Sequence, residues 1–310
     1  MKKKVIILQH GGGELANQLW NFASIYSYCL EKNYDCQNYS FFEYSQYFNI
    51  PIDNYLINFV FFNRFKNHHK RRSHVKNKFW RFAYKIYEKL TIKFHKDRII
   101  SSVNSENKNI YLLSDSNTKL KNIENDDKPI YFIGWLFRNP DGLFKFRNEI
   151  IKLFKPKDIY TLSVTKKITE LKKKYKNIVG IHLRQGDYKI FKNGEYLISQ
   201  ERVSEIMDEY LKFTNKQSSE TVFIFTSDGK IQNQLFSNFN FEISDKNAIE
   251  DIYLLSLCDV IIGSNSSFGN FAAFYGDIPH IIMDKKAIDW DYYKDKNNYF
   301  LNKYCTLTNL

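Results

Sequence analysis

Short apolar runs alternate with amphipathic stretches through the second half of the chain. The apolar runs are three to six residues long and rich in Val and Ile, which predicts buried strands, and the amphipathic stretches predict helices. Strands that alternate with helices in this way form a parallel sheet with right-handed connections. The predicted strands are 179–184, 222–225, 260–262 and 278–283, and the predicted helices are 202–213, 247–258 and 268–275.

The start of the chain has the same order of elements. Val5–Leu8 is apolar, a run of glycines follows, and apolar residues from Leu15 to Leu30 then recur every three or four positions. This pattern predicts a strand, a glycine loop and a helix, the opening of a second Rossmann-like unit. A helix that begins at such a loop directs backbone amides toward it, which suits an anion. Further strands are predicted at 110–113 and 130–133 to close this sheet.

The size and composition of the chain indicate a globular protein with two domains. Its 310 residues are 43% hydrophobic, enough for a substantial core, and no apolar stretch approaches the length that spans a bilayer. Pro156 interrupts a lysine-rich helical pattern, and we predict domains at 1–150 and 151–310. The four cysteines lack the paired spacing of metal or redox motifs, which favours reduced thiols in a cytoplasmic protein.

The end of the strand at 179–184 carries the most distinctive polar residues. In an extended strand, His182 and Arg184 share one face and Leu183 points into the core. Arg184 offers a planar, permanently charged group that suits a phosphate. An ion pair between Arg184 and Asp187 on the surface is the alternative interpretation.

Polar residues also follow the next two predicted strands. Ser266 and Ser267 lie where a strand gives way to a helix, so their hydroxyl groups either cap that helix or bind a diphosphate with its first amides. Asp228 follows the strand at 222–225, where it either accepts hydrogen bonds from a guanine base or forms a turn before Gly229.

The charge of the chain is strongly positive. A net charge of +12 favours anionic partners such as a nucleotide, a nucleic acid or an acidic membrane. Residues 64–98 combine basic residues with aromatic and aliphatic residues at helical spacing, which is typical of a helix on a membrane surface or a nucleic acid. A helix that packs on the core and leaves its lysines in water has the same pattern.

Three blocks of sequence resemble one family. The run His182-Leu183-Arg184-Gln185-Gly186-Asp187 resembles the His-x-Arg-Arg-x-Asp motif of α1,2- and α1,6-fucosyltransferases, in particular the bacterial α1,2-fucosyltransferases of glycosyltransferase family 11. Residues 251–268 resemble the family's segment of helix, strand and Ser-Ser-Phe loop, and residues 12–19 resemble its Gly-Gly-Leu-Gly-Asn-Gln loop. The chain departs from these motifs at Gln185, where a second arginine is usual, at Ala16 in place of glycine, and by an extra residue around Glu14.

The resemblance implies a fold and an activity. The implied fold is α/β, of the GT-B type, with two facing Rossmann-like domains on parallel sheets, the first binding the acceptor and the second the nucleotide sugar. The implied reaction is inverting, metal-independent transfer of L-fucose from GDP-fucose to a hydroxyl of a glycan acceptor, with an α1,2 linkage, in a cell-surface polysaccharide or lipopolysaccharide precursor. No cofactor and no metal are expected. The expected location is the cytoplasm, with peripheral contact to the inner face of the plasma membrane through 64–98, and no nucleic acid is an expected partner.

The resemblance also implies roles for single residues. Arg184 would neutralise the leaving diphosphate, and Asp187 or Glu195 would deprotonate the acceptor hydroxyl, with Asp187 alternatively orienting Arg184. The implied donor-binding residues are Gly12, Gly13, Asn17, His182, Arg184, Asp228, Ser266, Ser267 and Phe268.

Three other functions stay open on the sequence alone. The first is the same fold with a different nucleotide-sugar donor, because Gln185 removes one positive charge from the motif. The second is an NAD-dependent oxidoreductase, because Gly11, Gly13 and Ala16 fit a loose dinucleotide fingerprint with Asp35 about twenty residues on. The third is a non-catalytic nucleic-acid-binding protein built on the basic run.

Overall fold

The chain forms two compact units, Met1–Lys157 and Asp158–Leu307. The computed structural model describes residues 2–8, 13–50, 75–102, 111–114 and 118–298.

The division between the units lies seven residues after the predicted boundary at 150/151. The predicted boundary falls inside a helix, Arg147–Leu153. Phe154 follows this helix and packs edge-on against Phe22, with ring centroids 5.4 Å apart. Because Phe22 and Phe154 are both fully buried, this contact holds the helix in the core of the first unit.

The first unit is a mixture of helices and short strands. Its helices are α1 (Leu15–Lys32), α2 (Val75–Phe94), α3 (Thr118–Glu124), α4 (Pro140–Lys145) and α5 (Arg147–Leu153). Its strands are β1 (Lys4–Ile7), β2 (Asp35–Asn38), β3 (Ile99–Ser101), β4 (Tyr111–Leu112), β5 (Ile130–Ile133) and β6 (Phe137–Arg138).

The main sheet of the first unit has the order β2-β1-β5-β3, and all its strand pairs are parallel. The prediction that a strand at 110–113 helps to close this sheet is wrong. β4 pairs instead with β6 in a separate two-stranded sheet, where the rings of Tyr111 and Phe137 lie 5.2 Å apart. The strand that completes the main sheet is β3, which is only three residues long.

The position of β2 argues against a dinucleotide site in this unit. Asp35 is the first residue of β2 and pairs with Lys4, the first residue of β1. It therefore lies at the amino-terminal edge of the sheet, whereas α1 starts beyond the carboxyl-terminal edge. A ribose-binding acid must lie near the loop that precedes the helix, so Asp35 does not fit the fingerprint that suggested an NAD-dependent enzyme.

The second unit has longer strands. Its helices are α6 (Asp158–Lys174), α7 (Gln200–Thr214), α8 (Ala248–Ser256) and α9 (Ser267–Gly276). Its strands are β7 (Asn177–Leu183), β8 (Thr221–Ser227), β9 (Asn240–Ile243), β10 (Val260–Gly263) and β11 (His280–Ile282).

These five strands form one parallel sheet in the order β11-β10-β7-β8-β9. The chain moves outward from β7 through β8 to β9 and then returns to the other side of β7 with β10. Open α/β sheets bind ligands at the point where the strand order reverses, outside the carboxyl ends of the strands. In this sheet that point lies between β7 and β10.

Helices cover both faces of this sheet. Val179, Ile181 and Leu183 are buried against α7 in one cluster, which confirms that Leu183 points into the core. Residues at the alternate positions face α8: a Cβ added to Gly180 would lie 2.6 Å from the side chain of Leu255. The absence of a side chain at Gly180 therefore lets α8 pack close to β7.

The prediction of an α/β fold with parallel sheets is confirmed in both units. Cys29, Cys36 and Cys258 are buried free thiols, as predicted, and Cys305 lies outside the described residues. Within the described parts of the chain, none of the helices has the length and hydropathy of a bilayer span.

Candidate active site

Two loops flank the reversal point of the second sheet, and hydrogen bonds join them. The loop after β7 begins with Arg184, whose backbone N–H donates to the hydroxyl oxygen of Ser264 in the loop after β10, at 3.0 Å. The hydroxyl group of Tyr188 donates to the carbonyl oxygen of Asn265 at 2.7 Å. The end of β7 and the start of α9 are thus held side by side at the edge where a ligand is expected.

The guanidinium group of Arg184 lies over the ring of Tyr188, 5.1 Å from its centroid. The side chain is half-buried, so it is partly shielded from water. An aromatic ring beneath a guanidinium group limits its rotamers and so helps to fix the position of its charge.

Asp228 shapes the turn that follows Arg184. Its Oδ1 accepts hydrogen bonds from the backbone N–H groups of Gln185, at 2.6 Å, and Gly186, at 3.0 Å. A role in forming a turn was one of the two interpretations of Asp228, and the structure shows such a role. The turn that Asp228 stabilises is in the loop after β7, however, and not at Gly229. Its second oxygen, Oδ2, keeps acceptor capacity for a ligand.

Gln185 stands where the family motif has a second arginine, and it is buried. A Cβ added to Gly229 would lie 2.3 Å from Oε1 of Gln185. Gln185 is therefore packed against the backbone of the next loop, and Gly229 is needed there because a larger residue would displace it.

His182 is a neutral, buried histidine beside Arg184. Its ring stacks on that of Phe268 at the start of α9, with centroids 4.9 Å apart and planes 22° apart. Burial lowers the pKa of His182 to about 4, and the charge of Arg184 contributes to this shift while Asp228 opposes it. His182 is therefore neutral at physiological pH, with one ring nitrogen as donor and the other as acceptor.

Two buried polar atoms on β7 and β8 have no hydrogen-bond partner among the described residues. They are Nδ1 of His182 and Oγ1 of Thr226. His182 and Thr226 are paired residues of β7 and β8, so their side chains share the face that α8 and α9 cover. Buried polar atoms without partners are rare in native proteins and call for a ligand or water.

The two serines begin α9. The hydroxyl oxygen of Ser266 accepts the backbone N–H of Phe268 at 3.2 Å, so Ser266 is the N-cap, and Ser267 is the first helical residue. Capping was one of the two interpretations of this pair. It leaves the Ser266 hydroxyl its donor capacity toward an anion at the helix start.

The structure adds an acid that the sequence analysis did not single out as a site residue. Asp251 lies in the first turn of α8, and its Oδ1 accepts the hydroxyl group of Ser244 at 2.5 Å. The backbone N–H of Ser244 donates to the carbonyl oxygen of Phe225, which places Asp251 at the carboxyl ends of β8 and β9. Asp251 is the first residue of the block 251–268 that resembles the family, and this position was the only hint in the sequence that it belongs to the site.

The carboxyl group of Asp251 is poorly stabilised as an anion. Burial raises its pKa to about 7, the hydrogen bond from Ser244 opposes the shift, and the nearby charges of Glu250 and Asp245 add to it. A buried acid whose pKa is raised into the neutral range is typical of a functional site.

The other candidate residues are two acids after β7 and the glycines of the first unit. Asp187 starts a short 3₁₀ helix, Asp187–Lys189, and Glu195 is exposed beyond the next one. Gly12 lies outside the described residues. Gly13 belongs to the first unit and has a φ of +91°, which favours glycine. A Cβ added at this position would lie 2.2 Å from Nδ2 of Asn17. Within the described residues, no group of three or more His, Cys, Asp or Glu side chains is arranged to hold a metal ion.

Comparisons with known proteins agree with this arrangement. The model of Glycosyl transferase family 11 matches residues 140–306, and no curated protein sequence matches the chain. Among solved structures, a variant of FUT1 from Arabidopsis thaliana in complex with GDP is 14% identical, with a TM-score of 0.53 over 93% of this chain and 72% of that one. Fucosyltransferase NodZ from Bradyrhizobium is 13% identical, with a TM-score of 0.53 over 93% and 97%. POFUT1 in complex with GDP-fucose is 10% identical, with a TM-score of 0.51 over 89% and 94%.

At these identities the structural likeness concerns the fold, and it confirms the GT-B type. The family match is independent of it and extends over more than half of the 310 residues. It includes both loops at the reversal point, the stacked pair of His182 and Phe268, and Asp251. The chain is a glycosyltransferase that belongs to glycosyl transferase family 11.

Proposed function

We propose that this enzyme transfers L-fucose from GDP-fucose to a hydroxyl group of a glycan, with inversion, without a metal ion, and with formation of an α1,2 linkage. The observation that carries the proposal is the pairing of Arg184 with the start of α9 across the reversal point of the second sheet. Similar solved structures hold GDP or GDP-fucose, which supports the choice of donor.

In this proposal the leaving diphosphate is neutralised by fixed groups of the protein. The fork of Arg184 binds it in two places, and the first amides of α9 with the Ser266 hydroxyl bind the same charge. Negative charge grows on the diphosphate as the sugar bond breaks, so groups that are already oriented stabilise the transition state more than the ground state.

The nucleoside part of the donor lies, in the same proposal, over the buried edge formed by His182, Thr226 and Asp251. Nδ1 of His182 and Oγ1 of Thr226 gain hydrogen-bond partners from it. The Asp251 carboxylate accepts the N1–H and N2–H₂ groups of guanine, two donors that adenine does not present together. Asp228 Oδ2 is the alternative acceptor for the base.

GDP affinity is expected to depend on pH through Asp251. Guanine donors favour the carboxylate, so binding below the pKa of about 7 requires loss of a proton. The Kd for GDP should therefore rise roughly tenfold from about pH 7.5 to about pH 6. Titration calorimetry with GDP, and with ADP as the control ligand, measures this.

Two variants separate the candidate acids. Asp251→Asn should bind GDP weakly with a flat pH profile, whereas Asp228→Asn should keep the profile and loosen the turn after Arg184. Asp251→Asn should also raise the free energy of unfolding at pH 8. The pKa of Asp251 is higher in the folded chain than in the unfolded chain, so the wild type loses stability as pH rises from about 4 to about 7, and the uncharged asparagine does not. A wild-type Kd that does not change over this range removes Asp251 from the base site.

The acceptor hydroxyl loses its proton to Asp187 or Glu195 in this proposal, and the N-terminal unit binds the glycan. A cell-surface glycan precursor is the proposed acceptor, at the inner face of the plasma membrane.

Metal independence is tested by measuring transfer in the presence of EDTA. The choice of donor is tested by thermal shift with GDP-fucose against other sugar nucleotides, because the buried Gln185 offers no second charge to the diphosphate.

A further inference from the structure

Helix α2 of the first unit carries a stripe of exposed large apolar residues. Phe82 is 64% exposed, Leu90 49% and Phe94 73%, and Phe79 and Ile86 are exposed with them. The five residues are three or four positions apart, so they lie on one face of the helix. Single exposed apolar side chains are ordinary on soluble proteins, but a continuous row marks an interaction surface. We call these five residues the apolar stripe.

The opposite face of α2 is fixed to the first unit. Tyr84 is fully buried, and its hydroxyl group donates to the carbonyl oxygen of Leu8 at 2.5 Å. Arg81 forms an ion pair with Glu43. At 100° per residue Tyr84 lies about 140° around the helix from Phe79. These contacts turn the apolar stripe away from the core of its own unit.

The charge beside the stripe is almost entirely positive. Lys78, Lys85, Lys89 and Lys93 are exposed and lie along one flank of the stripe. The sequence of α2 contains five lysines and one arginine against a single acid, Glu88. Lysine side chains of this kind extend from an apolar surface to a polar boundary and keep their charge there.

We propose that α2 docks the enzyme on an anionic bilayer, with the apolar stripe at the boundary of headgroups and acyl chains and the lysine flank on lipid phosphates. An interfacial helix has this division into an apolar face and a lysine-rich face. The apolar stripe and its lysine flank are thus the surface through which the proposed peripheral contact with the membrane is made. This docking does not depend on which nucleotide sugar is the donor.

The stripe and the lysines together favour a membrane over the two other occupants. A nucleic acid would neutralise the lysines but would leave the phenylalanine and leucine side chains without a partner. A second copy of the chain would cover the stripe but would add another helix of the same strong positive charge to the interface. An anionic bilayer is complementary to both features.

The test is co-sedimentation of the full-length protein with vesicles of phosphatidylcholine, alone or with about 30% phosphatidylglycerol. The wild type should be retained on the anionic vesicles, and Phe82→Glu/Leu90→Glu should lower the partition coefficient at least tenfold. The matched control is Ile159→Glu/Leu162→Glu, which places the same charges on two residues of α6 that are each 69% exposed. The control should bind vesicles as the wild type does.

Measurements without vesicles keep the result interpretable. GDP titration and the Tm should be unchanged in the stripe variant, which separates loss of docking from misfolding and from failure of the proposed donor chemistry. If the stripe variant unfolds, Lys85→Glu/Lys89→Glu/Lys93→Glu tests the charged flank alone and should also lose vesicle binding. The proposal is overturned by undiminished vesicle binding in both variants, by equal binding to neutral vesicles, or by a wild-type dimer that the stripe variant dissociates.

Discussion

Arg184→Ala is expected to keep the fold and to lower kcat for transfer from GDP-fucose by about 10²- to 10³-fold. Its guanidinium group is held over Tyr188 at the reversal point of the sheet, where the charge of the departing diphosphate develops in the proposed reaction. The backbone N–H that joins Arg184 to Ser264 is retained in the variant, so the loop should keep its conformation. Release of GDP from GDP-fucose, with and without a glycan acceptor, measures the loss.

Two further variants define what Arg184 contributes. Arg184→Lys keeps the charge but not the planar fork, and it should recover only a small part of the lost rate. Lys189→Ala removes an exposed positive charge from the same loop, and it should leave kcat almost unchanged. Comparable losses in Arg184→Ala and Lys189→Ala would mean that the general positive field, rather than one fixed group, acts on the diphosphate.

His182→Phe is expected to have opposite effects on stability and on donor affinity. Phenylalanine keeps the stacking on Phe268 and removes a buried nitrogen that lacks a partner, so the free energy of unfolding at pH 7 should rise by about 1 kcal/mol. The same nitrogen is proposed to bind the donor, so the affinity for GDP-fucose should fall about 10- to 100-fold.

The stability difference should widen in acid. The pKa of His182 is about 4 in the folded chain, below its value of 6.5 when unfolded. The unfolded state therefore binds the proton first, and the wild type loses about 1.5 kcal/mol of stability as pH falls from 6.5 to 5, a loss that His182→Phe does not suffer. Chemical denaturation at both pH values measures it.

The control for the His182 variant is His95→Phe. This residue is another stacked histidine, with its ring 4.7 Å from that of Tyr131 in the first unit. It should show no loss of donor affinity. A His182→Phe variant that binds GDP-fucose as the wild type does would show that the stack on Phe268 is structural alone.

The sequence was sufficient for the elements with a strong apolar pattern. β7, β8 and β10 carry consecutive apolar residues because both of their faces are covered, and the alternation with helices then fixes a parallel sheet. β9 was missed because its residues, Asn240–Ile243, are half-buried or exposed at the edge of the sheet and mix polar with apolar types. β3 was missed because a strand of three residues is too short to show a periodic pattern of apolar positions.

The site was predictable only where one stretch of chain carries it. The position of Arg184 at a strand end follows from local sequence. The hydrogen bonds from Gln185 and Gly186 to Asp228 do not, because they join residues more than forty positions apart. The raised pKa of Asp251 comes from burial under tertiary contacts, which no local pattern contains. The interpretation of Asp35 as a ribose-binding acid was wrong for a similar reason, since spacing alone does not say at which end of a strand a residue lies.

The bonds from Arg184 to Ser264 and from Tyr188 to Asn265 have a kinetic consequence. They hold both loops in place within the folded chain, so the entropy of ordering these loops is lost when the chain folds and not when a substrate arrives. Binding of the proposed nucleotide sugar should then need no slow rearrangement of these two loops, and diffusion together with charge attraction should set its association rate.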